Sequence, residues 1–165
     1  MNKKYKIYLD TSVISYLKQE DALEKMKDTL EFFDRARLGM YEIYISDISL
    51  EELYECPEPK LSYLQQYIST IEYKTIYMND RAEELANKYV EDGVIREKSI
   101  DDAKHIALAS ENHLDAIASW NFKHIVNYKT MFGVNEVNTR ERYGRIDIVT
   151  PSIIISGGED NGKHK

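Results

Sequence analysis

The chain alternates between two apolar periods, and that alternation restricts it to few architectures. KKYKIYLD, YEIYIS, IEYKTIY and LDAIAS are short, rich in Ile, Tyr, Val or Ala and bounded by polar residues, the pattern of strands. Between them apolar residues recur at helical spacing: Leu23, Met26, Leu30 and Phe33; then Leu61, Leu64, Ile68 and Ile71; then Ala82, Leu85, Ala86, Tyr89 and Val90. A further helix is predicted from Ser99 to His113, with Ala103, Ile106, Ala107, Ser110 and Leu114 on one face, and Pro57 and Pro59 break the stretch between two helices. Strands separated by helices need crossover connections, so the expected fold is α/β, with a mainly parallel central sheet covered on both faces. RIDIVTPSIII is expected to add an edge strand, its pairing limited by Pro151. A length of 165 residues suits one domain, assigned to 1–156, and GGEDNGKHK (157–165) reads as a disordered tail.

Composition narrows the environment and partners. No apolar run approaches the roughly 20 residues that cross a bilayer, so no membrane association is expected. MNKKYKIYLD has no apolar signal core, and the lone Cys56 forms no internal disulfide; both point to the cytoplasm. With 29 Asp+Glu against 22 Lys+Arg, the net charge is −7. A protein that holds nucleic acid by counterion release alone presents a basic surface, so any nucleic-acid function here needs another source of positive charge.

In an open parallel sheet, ligands bind beyond the carboxyl ends of the strands. Asp10 closes the first predicted strand, Glu52 follows the second by one helical turn, Asp102 lies in the first turn of its helix, and Ser119 and Asn121 close LDAIAS. Converging carboxylates repel unless a cation sits among them, and oxygen-only ligands suit Mg²⁺ or Mn²⁺. Such ions polarise phosphoryl oxygens and generate hydroxide, the chemistry of phosphodiester hydrolysis. A plainer reading stands beside it. Ser49-Leu-Glu-Glu52 and Ser99-Ile-Asp-Asp102 match the capping box, and Asp10 suits a helix N-cap.

Four segments in order resemble the PIN-domain nucleases, especially the toxin ribonucleases of bacterial toxin–antitoxin pairs, and the resemblance reaches to about Thr150. IYLDTSVISYL is similar to the family's opening strand, with Asp followed by Thr or Ser. YISDISLEELYE resembles the second signature, with Ser46 at the strand end and an acid followed by Leu, which selects Glu52 over Glu51. SIDDAKHIALA resembles the third, an acid followed by Ala and then Ile-Ala, which selects Asp102 over Asp101. IASWNFKHI resembles the fourth, a strand ending in Thr or Ser with a polar or acidic residue two positions later.

The resemblance implies a PIN-like three-layer α/β/α fold and an endoribonuclease acting on RNA. Asp10, Glu52 and Asp102 would be its catalytic residues and metal ligands, with Ser12 and Ser119 supporting them or orienting water. It also implies an antitoxin partner and a homodimer. Asn121 departs from the acid common in the family and supplies no charge, so a second metal would be held less well. That departure keeps open a catalytically degenerate module that binds RNA or protein. A receiver-like signalling domain would need adjacent acids after its early strand and a Lys behind a later one, an order this chain lacks.

Other residues carry two readings. His105 stands at i+3 from Asp102 and His124 at i+3 from Asn121; each suits a metal ligand, a proton shuttle or a packed, hydrogen-bonded side chain. Trp120 suits packing beside the strand end more than base stacking. The 13 tyrosines are spread through strand and helix patterns, as core residues are. Residues 119–145 carry Lys123, Lys129, Arg140, Arg142 and Arg145 against two Glu, and suit either a phosphate-binding segment or a solvated loop.

Overall fold

A computed structural model describes residues 3–163, with side chains up to Gly157. Five parallel strands form one sheet in the order β3-β2-β1-β4-β5. They are β1 (Tyr5–Leu9), β2 (Tyr41–Ser46), β3 (Lys74–Ile76), β4 (Ala116–Ala118) and β5 (Asp147–Val149). Among the described residues eight α-helices flank the sheet: α1 (Thr11–Ser15), α2 (Leu23–Arg37), α3 (Asp47–Leu53), α4 (Lys60–Ile68), α5 (Asp80–Glu91), α6 (Ile100–Glu111), α7 (Tyr128–Arg140) and α8 (Pro151–Lys163). This is the expected α/β class, with three layers. None of the described helices is long and apolar enough to cross a membrane.

Strand alternation divides the core between the two faces. Ile7 and Leu9 of β1 and Ile43 and Ile45 of β2 point toward α1, α2, α4 and α8; Tyr8 and Tyr44 point the other way, toward α5, α6 and α7. Helix α6 is buried almost all round, because Ala103, Ala107 and Ala109 let it lie close between the sheet and α5. Glycine makes a similar close approach at Gly133 of α7, where a Cβ would stand 2.9 Å from Cγ1 of Val94.

The chain leaves β1 toward β2 on one side and leaves β4 toward β5 on the other. The connections therefore part between β1 and β4, opening a crevice at their carboxyl ends.

Three expectations change. The expected edge strand is β5, which stops at Val149, but the isoleucines beyond it do not extend the strand, because Pro151 opens α8. Thr150 precedes it as a cap, its Oγ1 accepting from the Ile153 amide at 3.2 Å, and proline at the first helical position needs no hydrogen bond. The capped start overrides the β preference of the isoleucine run. The tail expected over 157–165 falls within α8 as far as Lys163; its side chains beyond Gly157, and residues 164–165 entirely, lie outside the described residues. In α2 the buried stripe is Thr29, Phe32, Phe33 and Ala36, while Leu23 is 68% exposed. The stripe is thus rotated from the predicted one, since Trp120 and Tyr41 pack against its Thr29–Phe32 side.

The rotation predicts contrasting costs. Phe32→Ala should lower stability by about 3–5 kcal/mol, as large-to-small core changes do. Leu23→Ala should stay within about 0.5 kcal/mol. Urea denaturation measures both, and similar losses would contradict this packing.

Candidate active site

Asp10, Glu52, Asp102 and Asn121 line one open cavity of about 500 Å³ in the crevice beyond β1 and β4, together with Ser12 and His105. The amide of Asp10 donates to the Ala118 carbonyl at 3.1 Å, continuing the strand pairing and holding Asp10 beside Ser119. Asp10 Oδ2 accepts from Ser12 Oγ at 2.7 Å and from Ser119 Oγ at 2.9 Å. It also accepts weakly from the Ser12 amide, as the N-cap of α1. Ser12 Oγ in turn accepts from the Trp120 amide at 2.9 Å, and Ser119 Oγ from the Asn121 amide at 3.0 Å. The two serines therefore tie the ends of β1 and β4 to a single carboxylate oxygen.

Glu52 is not part of a capping box. The cap of α3 is Ser46, whose Oγ accepts from the Ser49 amide at 3.1 Å, and Glu52 lies farther along the helix. There Glu52 Oε1 accepts from Thr11 Oγ1 and stands 3.0 Å from His105 Nε2. Ser99, at the cap of α6, makes no side-chain capping bond, so Asp102 is free of that role too. Its carboxylate accepts from the Asn121 amide nitrogen at 3.3 Å, while Asn121 Oδ1 accepts from the His124 amide at 3.1 Å.

His105 is buried beneath these acids. Nδ1 is 2.5 Å from Tyr8 Oη, and Nε2 is 3.7 Å from Asp10 Oδ1 as well as bonded to Glu52. Burial opposes charge on the ring, but the Tyr8 oxygen and the carboxylates of Glu52 and Asp10 outweigh it and hold the imidazole pKa well above its ordinary value. As an imidazolium, His105 donates from both nitrogens, and Tyr8 passes its own proton on toward Ser46 at 2.7 Å. For Glu52, burial works against ionisation, but the His105 and Thr11 hydrogen bonds prevail and lower its pKa. Asp102 moves up, through burial first and the nearby Asp10 charge second.

The donor chemistry suits a hard divalent cation: three carboxylates and no thiolate, the Asn121 side chain turning its NH2 rather than its oxygen toward Asp102. The raised Asp102 pKa reflects burial first and the Asp10 charge second, and a cation would relieve the second. Among the described residues, however, no group of three or more His, Cys, Asp or Glu side chains is already gathered tightly enough to hold a metal ion.

No family model matches the chain, and no curated protein matches it in sequence.

The five basic candidates divide. Lys123 lines the acid cavity, and both Lys123 and Lys129 line its neighbour. Arg140 is occupied by Asp92 at 2.6 Å and Glu141 at 3.2 Å, and Arg145 by Asp147 at 3.1 Å. Arg142 sits past the end of α7 with a left-handed φ of 67°. Trp120 packs as expected, 6% exposed, with its indole nitrogen donating to Thr29. The segment after residue 127 is the helix α7, whose polar core residue Asn138 bonds Tyr89, Ser110 and Gly144 and obscures its apolar periodicity. Sequence reasoning did not single out Tyr8 or Thr11. Tyr8 was detectable through alternation, because it faces away from Ile7 and Leu9 toward the helix that carries Asp102 and His105.

The bridge sets a pH dependence. The His105 pKa is raised in the folded protein, so its stabilising contribution is complete below the unfolded value of about 6.5 and is lost as pH rises through the raised value. Urea midpoints of the metal-free protein should therefore fall on the alkaline side, and His105→Gln should flatten that fall. An alkaline limb unchanged by the substitution would contradict a charged His105.

Proposed function

We propose that this protein is a divalent-metal-dependent endoribonuclease of PIN type that hydrolyses RNA phosphodiesters. The observation that carries the reading is the convergence of Asp10, Glu52 and Asp102 from three separate elements on one open cavity at the strand-order switch. The four-segment resemblance supports it independently, since it selects the same acids without reference to space.

Mg²⁺ or Mn²⁺ held by Asp10, Glu52 and Asp102 would supply Lewis-acid polarisation and a water acidic enough to act as nucleophile. The chain's own residues supply position. Ser12 and Ser119 occupy Asp10 Oδ2, while Oδ1 stands 3.7 Å from His105 Nε2. Thr11 and His105 hold Glu52 Oε1, while Oε2 makes no hydrogen bond to a described residue. Asn121 orients Asp102 but adds no charge, so this side of the cavity has one carboxylate. Lys123, on the rim, is placed to meet a substrate phosphate.

A role as the toxin of a toxin–antitoxin pair, silenced by an antitoxin and working as a homodimer in the cytoplasm, rests on the resemblance. A second reading, a degenerate module that binds RNA or protein without cleaving, is favoured by one feature: His105 already neutralises Glu52 and approaches Asp10.

Purified protein should cleave RNA with Mg²⁺ or Mn²⁺ and stop when the metal is chelated. Asp10→Asn should lower the rate by about 10²-fold or more, the scale of losing a charge-stabilising group. If wild type and Asp10→Asn cleave equally, the acids are not catalytic. If wild type cleaves nothing and calorimetry finds no Mn²⁺ binding, the degenerate reading takes its place.

A further inference from the structure

Beside the acid cavity lies a second one, of about 350 Å³, between the 93–99 loop and the start of α7. Phe122 and Lys123 border both cavities. The second is lined by Arg96, Lys123 and Lys129 together with His124 and Asn127, and no Asp or Glu belongs to its wall. In a chain of net charge −7, a wall without acids that gathers three cationic side chains is a marked local reversal.

The three cations also lack partners among the described residues. The side chains of Arg96, Lys123 and Lys129 make no hydrogen bond or ion pair to any described residue, whereas Arg140 and Arg145 are bound by carboxylates. The positive end of the α7 macrodipole adds to this field, because the helix begins at Tyr128 beside the cavity. The far wall is fixed by the Gly133–Val94 approach, which presses the 93–99 loop onto α7.

Phe122 forms the ridge between the cavities. It is 49% exposed, with Lys25 Nζ 5.0 Å from its ring centroid and Trp120 at 6.3 Å. The ring is thus anchored by a cation and a buried indole while much of its surface remains in water. A partly supported aromatic surface between an acid cluster and a basic cavity matches what a nucleotide needs: a platform for its base and cations for its phosphate.

We propose that this second cavity is the subsite for the nucleotide next to the scissile phosphate. Phe122 stacks its base, and Arg96, Lys123 and Lys129 hold its phosphate, so the substrate enters with an unpaired base at that position. The inference rests on the phosphodiesterase reading for the scissile bond, but the binding it predicts needs no metal and no cleavage.

The test is fluorescence anisotropy of a labelled single-stranded RNA oligonucleotide with chelator present, on the full chain, at several salt concentrations. Phe122→Leu should weaken binding about 10-fold, and Phe122→Trp should keep it, because stacking and not bulk is what counts. Arg96→Ala and Lys129→Ala should each weaken binding and reduce the salt slope by about 1, the change expected for one lost phosphate contact. Arg145→Ala, which removes a cation already held by Asp147, should leave binding unchanged.

In cleavage assays, Phe122→Leu and Lys129→Ala should raise KM for a long substrate more than they lower kcat. The subsite is overturned if these variants bind RNA like wild type, if Arg145→Ala weakens binding as much, or if a duplex of the same sequence binds as tightly. Loss of binding in the variants of a protein that cleaves nothing would overturn the nuclease reading and uphold the second cavity as a nucleotide-binding site. Cleavage unaffected by the variants would do the reverse.

Discussion

A buried imidazole held between a phenol and two carboxylates joins the parts of the site. His105 reaches Tyr8 of β1 through one ring nitrogen and Glu52 of α3 through the other. A polar ring this deep needs a partner on each nitrogen, so the bridge fixes the approach of α3 and α6 to the central strand. Asp102 lies three residues before His105 on the same helical face and is carried to the cavity by that docking. The acid is therefore positioned by a residue that lies beneath it.

Topology explains why the acids meet where they do. β1 is the middle strand, β2 and β4 flank it, and the crossovers part between β1 and β4. Each contributing segment follows one of these central strands or packs on them: Asp10 after β1, Glu52 after β2, Ser119 and Asn121 after β4. The edge strands β3 and β5 contribute no side chain to the cavity lining. A depression of about 600 Å³ at the opposite, amino ends of β1–β3 gathers Lys4, Glu42 and Lys74, but Glu42 and Lys74 are already paired with each other.

The strands, most helices and the acids were legible because each rests on a local pattern. Alternation in KIYL and YEIYIS assigns the two faces, and helical spacing identifies α5 and α6. Less visible were elements whose local signal is overruled from elsewhere. Ile153, Ile154 and Ile155 prefer a strand, but a Thr-Pro start commits them to α8. Helix α7 buries Asn138 in a satisfied polar network, so its stripe lacks the apolar contrast that periodicity needs. The α2 stripe is legible in period but not in phase, because its phase depends on contacts to Tyr41 and Trp120 that lie far along the chain. Arg140 and Arg145 looked equivalent to Lys123 and Lys129 in composition. Only the positions of Asp92 and Asp147 separate cations paired within the fold from those without a partner among the described residues.

Capping a helix and lining the cavity need not compete for the same carboxylate. Asp10 caps α1 and accepts both serines through Oδ2 alone, leaving Oδ1 without a hydrogen bond among the described residues, 3.7 Å from His105 Nε2. Glu52 likewise commits Oε1 to Thr11 and His105. One oxygen of each side chain fixes its orientation, which removes rotamer freedom before any ligand arrives. Asp102 is held differently, by a single long bond from Asn121, and is the acid whose ionisation the fold opposes. The cavity thus has two anchored acids and one loosely held, and the loosely held one is where an arriving cation would change the local energetics most.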